Sequence, residues 1–239
     1  MLWTQLFILR TGWFWYLVMM SIQPLTLFVF IRFLIGTSNH IAIIYLISGN
    51  IVMGLSLSSM LSLGQDLGWL KHSHAFDYYA TLPISKLSLI LAITTRSSLI
   101  AFPSIIITLV ISIFAFHLSL SPNILILPAV LISSYALSGI GAIIGFYSPN
   151  GRISNLLTQI IQPVIIFLSP VFVPIEQLPK MLQITSKFIP TTYVAQIIRD
   201  SLFNAISRTT WYSFFIVLVI VIISFIFIET GLDWRNERR

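Results

Sequence analysis

The chain has 239 residues, of which 57% are hydrophobic and 8% charged, with a formal charge of +6 at pH 7 and a mean hydropathy of +0.96. Soluble domains carry about a quarter charged residues, so this composition excludes a soluble globular enzyme, which needs a water-compatible surface. The basic residues are dispersed between apolar runs, which assigns the positive balance to anionic lipid and membrane orientation and excludes nucleic acid; the lack of Cys excludes disulfides and thiol chemistry.

Charge-free runs cover 11–31, 33–65, 97–151, 153–175 and 209–228. About 20 apolar residues cross a hydrocarbon core of about 30 Å, so each run spans once and 97–151 is long enough to span twice. The runs are continuous and lack the alternation of barrel strands, which predicts helices. The expected fold class is an all-α polytopic membrane protein with six transmembrane helices, at 13–31, 41–63, 97–116, 124–146, 153–173 and 211–228.

In chain order, Leu2, Trp3, Leu6 and Phe7 cluster at helical spacing and predict an interfacial helix over 1–12. Met1 to Leu9 carries no basic residue before Arg10 and no small-residue cleavage site follows, so the first run is expected to be a retained span and not a signal peptide. In the second span Asn50, Gly54, Ser58 and Ser62 recur every four residues, a small-residue stripe that allows close helix packing. A long loop at 65–96 reads as short amphipathic helices with Asp66, Gly68, Lys71, Leu82, Pro83 and Lys86 among their residues. Such a loop suits docking into a groove of a soluble partner or resting on lipid headgroups, and both readings stay open. His72, His74 and Asp77 form an H-x-H-x-x-D cluster of three potential metal ligands without an obvious fourth. Arg96 is expected at the inner membrane boundary, where its head reaches water.

The fourth span carries Ser134, Ser138 and Ala142 beside Gly141-x-x-x-Gly145, again a close-packing signal. In the fifth, Asn155, Gln159, Gln162 and Ser169 fall on one helical face, interrupted by Pro163 and Pro170. Amides in hydrocarbon are costly, so this stripe either lines a wet path or bonds to a neighbouring helix. The segment 174–210 is too polar to span and apolar enough to dip into the membrane. It predicts two short re-entrant or interfacial helices broken at Pro190.

With six spans, Arg10, Lys71, Lys86, Arg96, Arg152, Arg235, Arg238 and Arg239 fall on one side, and Arg32, Lys180, Lys187, Arg199 and Arg208 on the other. The excess places both termini in the cytoplasm. No G-x-x-x-x-G-K-[ST] loop occurs, so the chain cannot cradle and hydrolyse a nucleoside triphosphate through such a loop, and ATP-driven work must come from a partner.

Three segments together carry a resemblance. Ser169-Pro170-Val171-Phe172-Val173-Pro174-Ile175-Glu176-Gln177-Leu178-Pro179, then Ile189-Pro190-Thr191-Thr192-Tyr193, then Ile198-Arg199, resemble the signature that follows the fifth span in type-2 ATP-binding-cassette exporter permeases. Asp66-Leu67-Gly68 and Thr81-Leu82-Pro83-Ile84-Ser85-Lys86 resemble that family's coupling segment. The family's loop often opens with more charge than Gln65-Asp66-Leu67-Gly68, which would shift contacts to Lys71 and Lys86.

The resemblance implies a single transmembrane permease domain over 1–239, a half-transporter in the cell membrane that pairs with a second permease copy or paralogue. Two separate ATPase subunits would bind ATP and Mg, with no cofactor in this chain. It further implies coupling at Asp66, Gly68, Lys71, Leu82, Pro83 and Lys86, a pathway along Asn155, Gln159, Gln162 and Ser169, and an external gate at Glu176, Leu178, Pro179, Pro190, Tyr193 and Arg199. Drug, antibiotic, lipid-linked glycan and ion exporters share the signature, so the cargo stays open. The rival readings are an ion-coupled transporter or channel without an ATPase, and a membrane-embedded metal-dependent enzyme using His72, His74 and Asp77.

Overall fold

In the computed structural model the described residues are 40–73, 85–116 and 122–230, with Val18, Ile22, Thr26 and Val29 before them. Helix α1 (His40–Leu55) runs through a π-helical turn (Ser56–Leu61) into α2 (Ser62–His72), making one apolar rod over Ile41–His72. At 1.5 Å per residue its 32 residues extend about 48 Å, against a hydrocarbon core of about 30 Å. Helix α3 (Lys86–Phe116), α4 (Ile126–Tyr147) and α5 (Gly151–Phe167) follow. A 3₁₀ turn (Ile175–Gln177), α6 (Lys180–Thr185), a second 3₁₀ turn (Ser186–Phe188) and α7 (Pro190–Leu202) lead to α8 (Arg208–Thr230). Among the described residues there is no strand, and three helices are long and apolar enough to cross a membrane: Ile41–His72, Ile126–Tyr147 and Arg208–Thr230.

Local chemistry sets several of these boundaries. Asn150 has extended backbone and its side chain accepts from the Ile153 N–H, capping α5. Pro190 opens α7, where its missing N–H costs nothing. Asn204, at φ 51°, takes the left-handed conformation after α7 while the Ala205 N–H bonds the Asp200 carbonyl at 2.9 Å.

Three expected boundaries move. The helix expected at 41–63 continues to His72, because Leu63, Leu67 and Leu70 carry its buried face onward and nothing in the sequence breaks it. The helix expected at 97–116 begins at Lys86, so both ends of the expected 65–96 loop are helical. The helix expected at 153–173 stops at Phe167, as Pro170 disfavours helical backbone in the residue before it. The interfacial helix at 1–12 and most of the first span lie outside the described residues; Val18, Ile22, Thr26 and Val29 are helical.

Two cores are buried. The larger joins α1, the π turn, α3, α4 and α7 around Ile47, Ile51, Leu55, Leu137 and Ile197. The smaller joins α2, α3, α4 and α8 through Leu63, Leu67, Leu89, Ile90, Phe146 and Ile228. In lipid, apolar contact alone drives little association, since lipid tails are as apolar as Leu, so small residues and interhelical hydrogen bonds carry specificity. A Cβ at Gly141 would collide with the Met60 carbonyl, and one at Gly64 with the Thr158 methyl. Ser154 Oγ donates to the Gly64 carbonyl at 2.8 Å, and Thr94 Oγ1 donates to Ser138 Oγ at 3.2 Å.

Candidate functional site

The end of the long rod is tied to three neighbours. Leu67, Gly68 and Leu70 are buried, and a Cβ at Gly68 would come 2.8 Å from Ser154 Cβ and 3.1 Å from the Gly151 carbonyl on α5. Asp66 forms an ion pair with Arg96 of α3. Lys71 Nζ donates to the carbonyls of Phe146 and, at 2.8 Å, Ser148, at the end of α4 where helix carbonyls lack intrahelical partners. Three of the residues expected to couple to a partner therefore also join α2 to α5, α3 and α4. Trp69 is 65% exposed on the opposite face, with His72 and Ser73 exposed beside it. Lys86 opens α3, and Leu82 and Pro83 lie outside the described residues.

The small-residue stripe upstream is largely buried. Asn50 Nδ2 donates to the Leu46 carbonyl at 2.9 Å while its Oδ1 has no partner. Ser58 donates to Leu55 at 3.2 Å, Gly54 is buried and Ser62 is half-buried. Ser58 falls within the π turn, a feature that often marks functional positions in helices. Of the candidate metal cluster, His72 is exposed at the end of α2, and His74 and Asp77 lie outside the described residues. Among the described residues no three of His, Cys, Asp and Glu come together as potential metal ligands.

On α5 the four polar residues do not share one environment. The buried line is Gly151, Ser154, Thr158, Gln162 and Ile166. Gln162 is 3% exposed with Nε2 unpartnered; Asn155 is half-buried with Oδ1 unpartnered; Gln159 is exposed. The amide stripe thus straddles the edge of the buried face. Ser169 falls past the helix end, where its Oγ bonds the Ile165 carbonyl at 2.8 Å and Thr191 Oγ1 at 2.7 Å, fastening α5 to the start of α7.

At this other end α7 is packed into the core, with Val194, Ala195, Ile197 and Ile198 buried. Arg199 is 9% exposed. Its Nε donates to Ser48 Oγ at 3.2 Å and one Nη to the carbonyls of Pro170 (3.4 Å) and Val171 (3.2 Å), and its carbon Cζ sits 3.5 Å from the centre of the Tyr45 ring. Burial lowers its pKa from the ordinary arginine value, opposed by Tyr45 and Asp200; a guanidinium remains charged across the physiological range. Asp200 is buried too, but both its oxygens accept from Gln196 at 2.9 Å and one also from Thr210 at 2.5 Å. Tyr193 donates to the Lys187 carbonyl at 2.7 Å. Glu176 and Pro179 are exposed, Leu178 and Pro190 half-buried. Met181, Ile184 and Phe188 project from α6 and the adjoining turn at 76%, 61% and 85% exposure.

Sequence reasoning missed Gly64, Ser154, Thr158 and Tyr45. Gly64-x-x-x-Gly68 was the available signal for the first, and the offset of four between Ser154 and Thr158 for the next two; nothing local marked Tyr45.

A family model described as ABC-2 type transporter matches residues 1–203, which takes in every element from α1 to α7. No curated protein matches the chain.

Proposed function

This chain belongs to the ABC-2 type transporter family, and we propose that it works as the membrane permease of an exporter driven by a separate ATPase. The observation that carries this reading is the junction at the end of α2. Asp66, Gly68 and Lys71 bind α3, α5 and α4 there, so a push delivered near residues 74–84 reaches four helices together. Trp69 and His72, both exposed, add contact surface for the motor at the end of α2, and on this reading Leu82, Pro83 and Lys86 contribute to the same coupling.

On this reading the chain is one permease domain over 1–239 with six spans and both termini in the cytoplasm of the cell membrane. It has an interfacial helix at 1–12, a coupling segment within 65–96 and external gate helices within 174–210. Two ATPase subunits bind ATP and Mg, and a second permease copy or paralogue completes the path. The cargo is hydrophobic or amphipathic: a drug, antibiotic, lipid or lipid-linked glycan. Asn155, Gln159 and Gln162 contribute the polar side of its route. The exposed Met181, Ile184 and Phe188 beside Lys180 and Lys187 support helices that dip into the headgroup layer, with Glu176, Pro190, Tyr193 and Arg199 at their roots.

The chain has no Cys, so single cysteines report contacts cleanly. Cysteine at 69 or 72 should crosslink to an ABC ATPase subunit of the same cell when the two are co-expressed, and cysteine at 184 should not. Transport that persists with no ATPase copurifying would replace this reading with an ion-coupled transporter or channel.

A further inference from the structure

The buried cation Arg199 has no carboxylate partner among the described residues. Its hydrogen bonds go to one hydroxyl and two carbonyl oxygens, and Asp200, next in the chain, is turned to Gln196 and Thr210. Its other terminal nitrogen, Nη1, makes no hydrogen bond among the described residues. A buried guanidinium that contacts no carboxylate is costly, and here it lines a cavity of about 240 Å³. Tyr45, Thr192, Gln196, Thr209 and Tyr212 share that lining, which contains no acidic residue. The hydroxyls of Tyr45 and Tyr212 are likewise without partners among the described residues, and each is a donor.

The cavity's depth follows from α8. Thr209, Tyr212 and Ser213 belong to its first two turns, and α8 is one of the helices able to cross the membrane. The site therefore lies where hydrocarbon gives way to headgroups, the level at which Trp and Tyr concentrate. Trp211 and Tyr212 mark it here, and the exposed Phe215 and Leu218 continue down the same helix. A lipid with its phosphate beside Arg199 would find apolar surface for its chains along α8.

We propose that the cavity formed by Arg199, Tyr45 and Tyr212 binds a phosphate group, supplied by the headgroup of a membrane lipid. The guanidinium is fixed on its other edges by protein oxygens and covered on one face by Tyr45, so the phosphate meets an oriented N–H pair. The volume is below the roughly 300 Å³ at which drug-sized pockets begin, which suits a headgroup fragment and leaves the acyl chains outside. The site does not depend on α6 and α7 moving as a gate.

The test is binding of dioleoylphosphatidylglycerol to the purified full chain in detergent, read by native mass spectrometry against dioleoylglycerol, which has the same chains and no phosphate. The phospholipid should be retained at least tenfold more strongly. Arg199→Gln should abolish that preference. Because Arg199 also bonds Ser48 and the Pro170–Val171 backbone, Thr209→Trp is the second variant: it fills the cavity from an exposed position and leaves those bonds intact. Equal retention of the two lipids, or a preference unchanged in a folded Thr209→Trp protein, would overturn the proposal. Displacement of the phospholipid by millimolar inorganic phosphate would support the phosphate site and identify a soluble source.

Discussion

The carbonyl of Met60 stands where the Cβ of any larger residue at position 141 would be placed. Helix α4 and the π turn therefore touch backbone to backbone at Gly141, and a side chain there must push a main chain aside. Overpacking costs about 1–3 kcal/mol, and a backbone obstacle puts Gly141→Ala at or above the top of that range. At Gly49 the nearest obstacle is the Phe172 ring at 2.5 Å, with the Val171 carbonyl at 3.0 Å, and a ring can turn. In a chain of this size about 1 kcal/mol moves a melting midpoint by roughly 2–4 °C. Gly141→Ala should lower the midpoint in detergent by several degrees and at least twice as far as Gly49→Ala. Equal shifts would mean that the two helices separate easily at Gly141.

Asp66 and Arg96 lock α2 to α3, and the two are unequally covered, with Arg96 at 11% and Asp66 at 37% side-chain exposure. Removing the carboxylate takes the ion-pair partner from the deeper side chain. Coupling between contacting residues runs at about 0.5–3 kcal/mol, and partial exposure of Asp66 places this pair in the lower half. Asp66→Asn and Arg96→Gln should each destabilise the chain, and the double variant should lose less than their sum. Strict additivity of the melting shifts would show that the pair contributes no coupling.

Lys71 and Trp69 separate holding the base together from meeting the motor. Lys71→Met deletes two charge-assisted bonds to the end of α4, and charged hydrogen bonds contribute about 1.5–3 kcal/mol each when buried. Lys71 is only half-buried, so a total loss of about 1–3 kcal/mol is expected, visible as a lower melting midpoint of the permease alone. Trp69→Ala removes an exposed ring and should leave that midpoint unchanged while reducing transport-coupled ATP hydrolysis in the reconstituted complex. The opposite assignment, with Trp69 controlling stability and Lys71 only coupling, would break the proposed division.

The helices legible in advance were those with no competing signal. Helices α4 and α8 are charge-free over nearly their whole length, and the Pro149-Asn150-Gly151 series marks the break before α5. The rod beyond Leu63 was misread because Gln65 and Asp66 look like loop polarity, although Leu63, Leu67 and Leu70 keep helical spacing. The charge is tolerated because Arg96 answers it from 30 residues away, a partner that no local pattern displays. Arg199 and Asp200 are adjacent in sequence and both buried, yet their hydrogen bonds go to different partners, Arg199 to Ser48 and the Pro170–Val171 backbone and Asp200 to Gln196 and Thr210, a separation that no local pattern displays. The π turn has no local marker at all: Ser56-Leu57-Ser58-Ser59 is an ordinary run, and its geometry depends on what packs around it.

Gln162 and Gln159 are three residues apart on α5 but make different predictions. Gln162 is buried with Nε2 unpartnered, and an unsatisfied buried donor costs about 1–3 kcal/mol. Replacing it with Met, close in volume and without polar atoms, should leave stability unchanged or raise the midpoint. Gln159 is exposed, so Gln159→Leu should also fold as the native chain does. If the amides form the polar side of a route, both variants assemble with the ATPase and export falls, with Gln159→Leu changing the preference among cargoes of different polarity. If the exposed Gln159 instead bonds a second permease copy, Gln159→Leu weakens pairing of the copies, and Gln162→Met, buried within the chain, does not. Export assays alongside size measurements of the assembled complex separate the two. Unchanged export in both variants, with intact assembly, would remove these amides from the pathway.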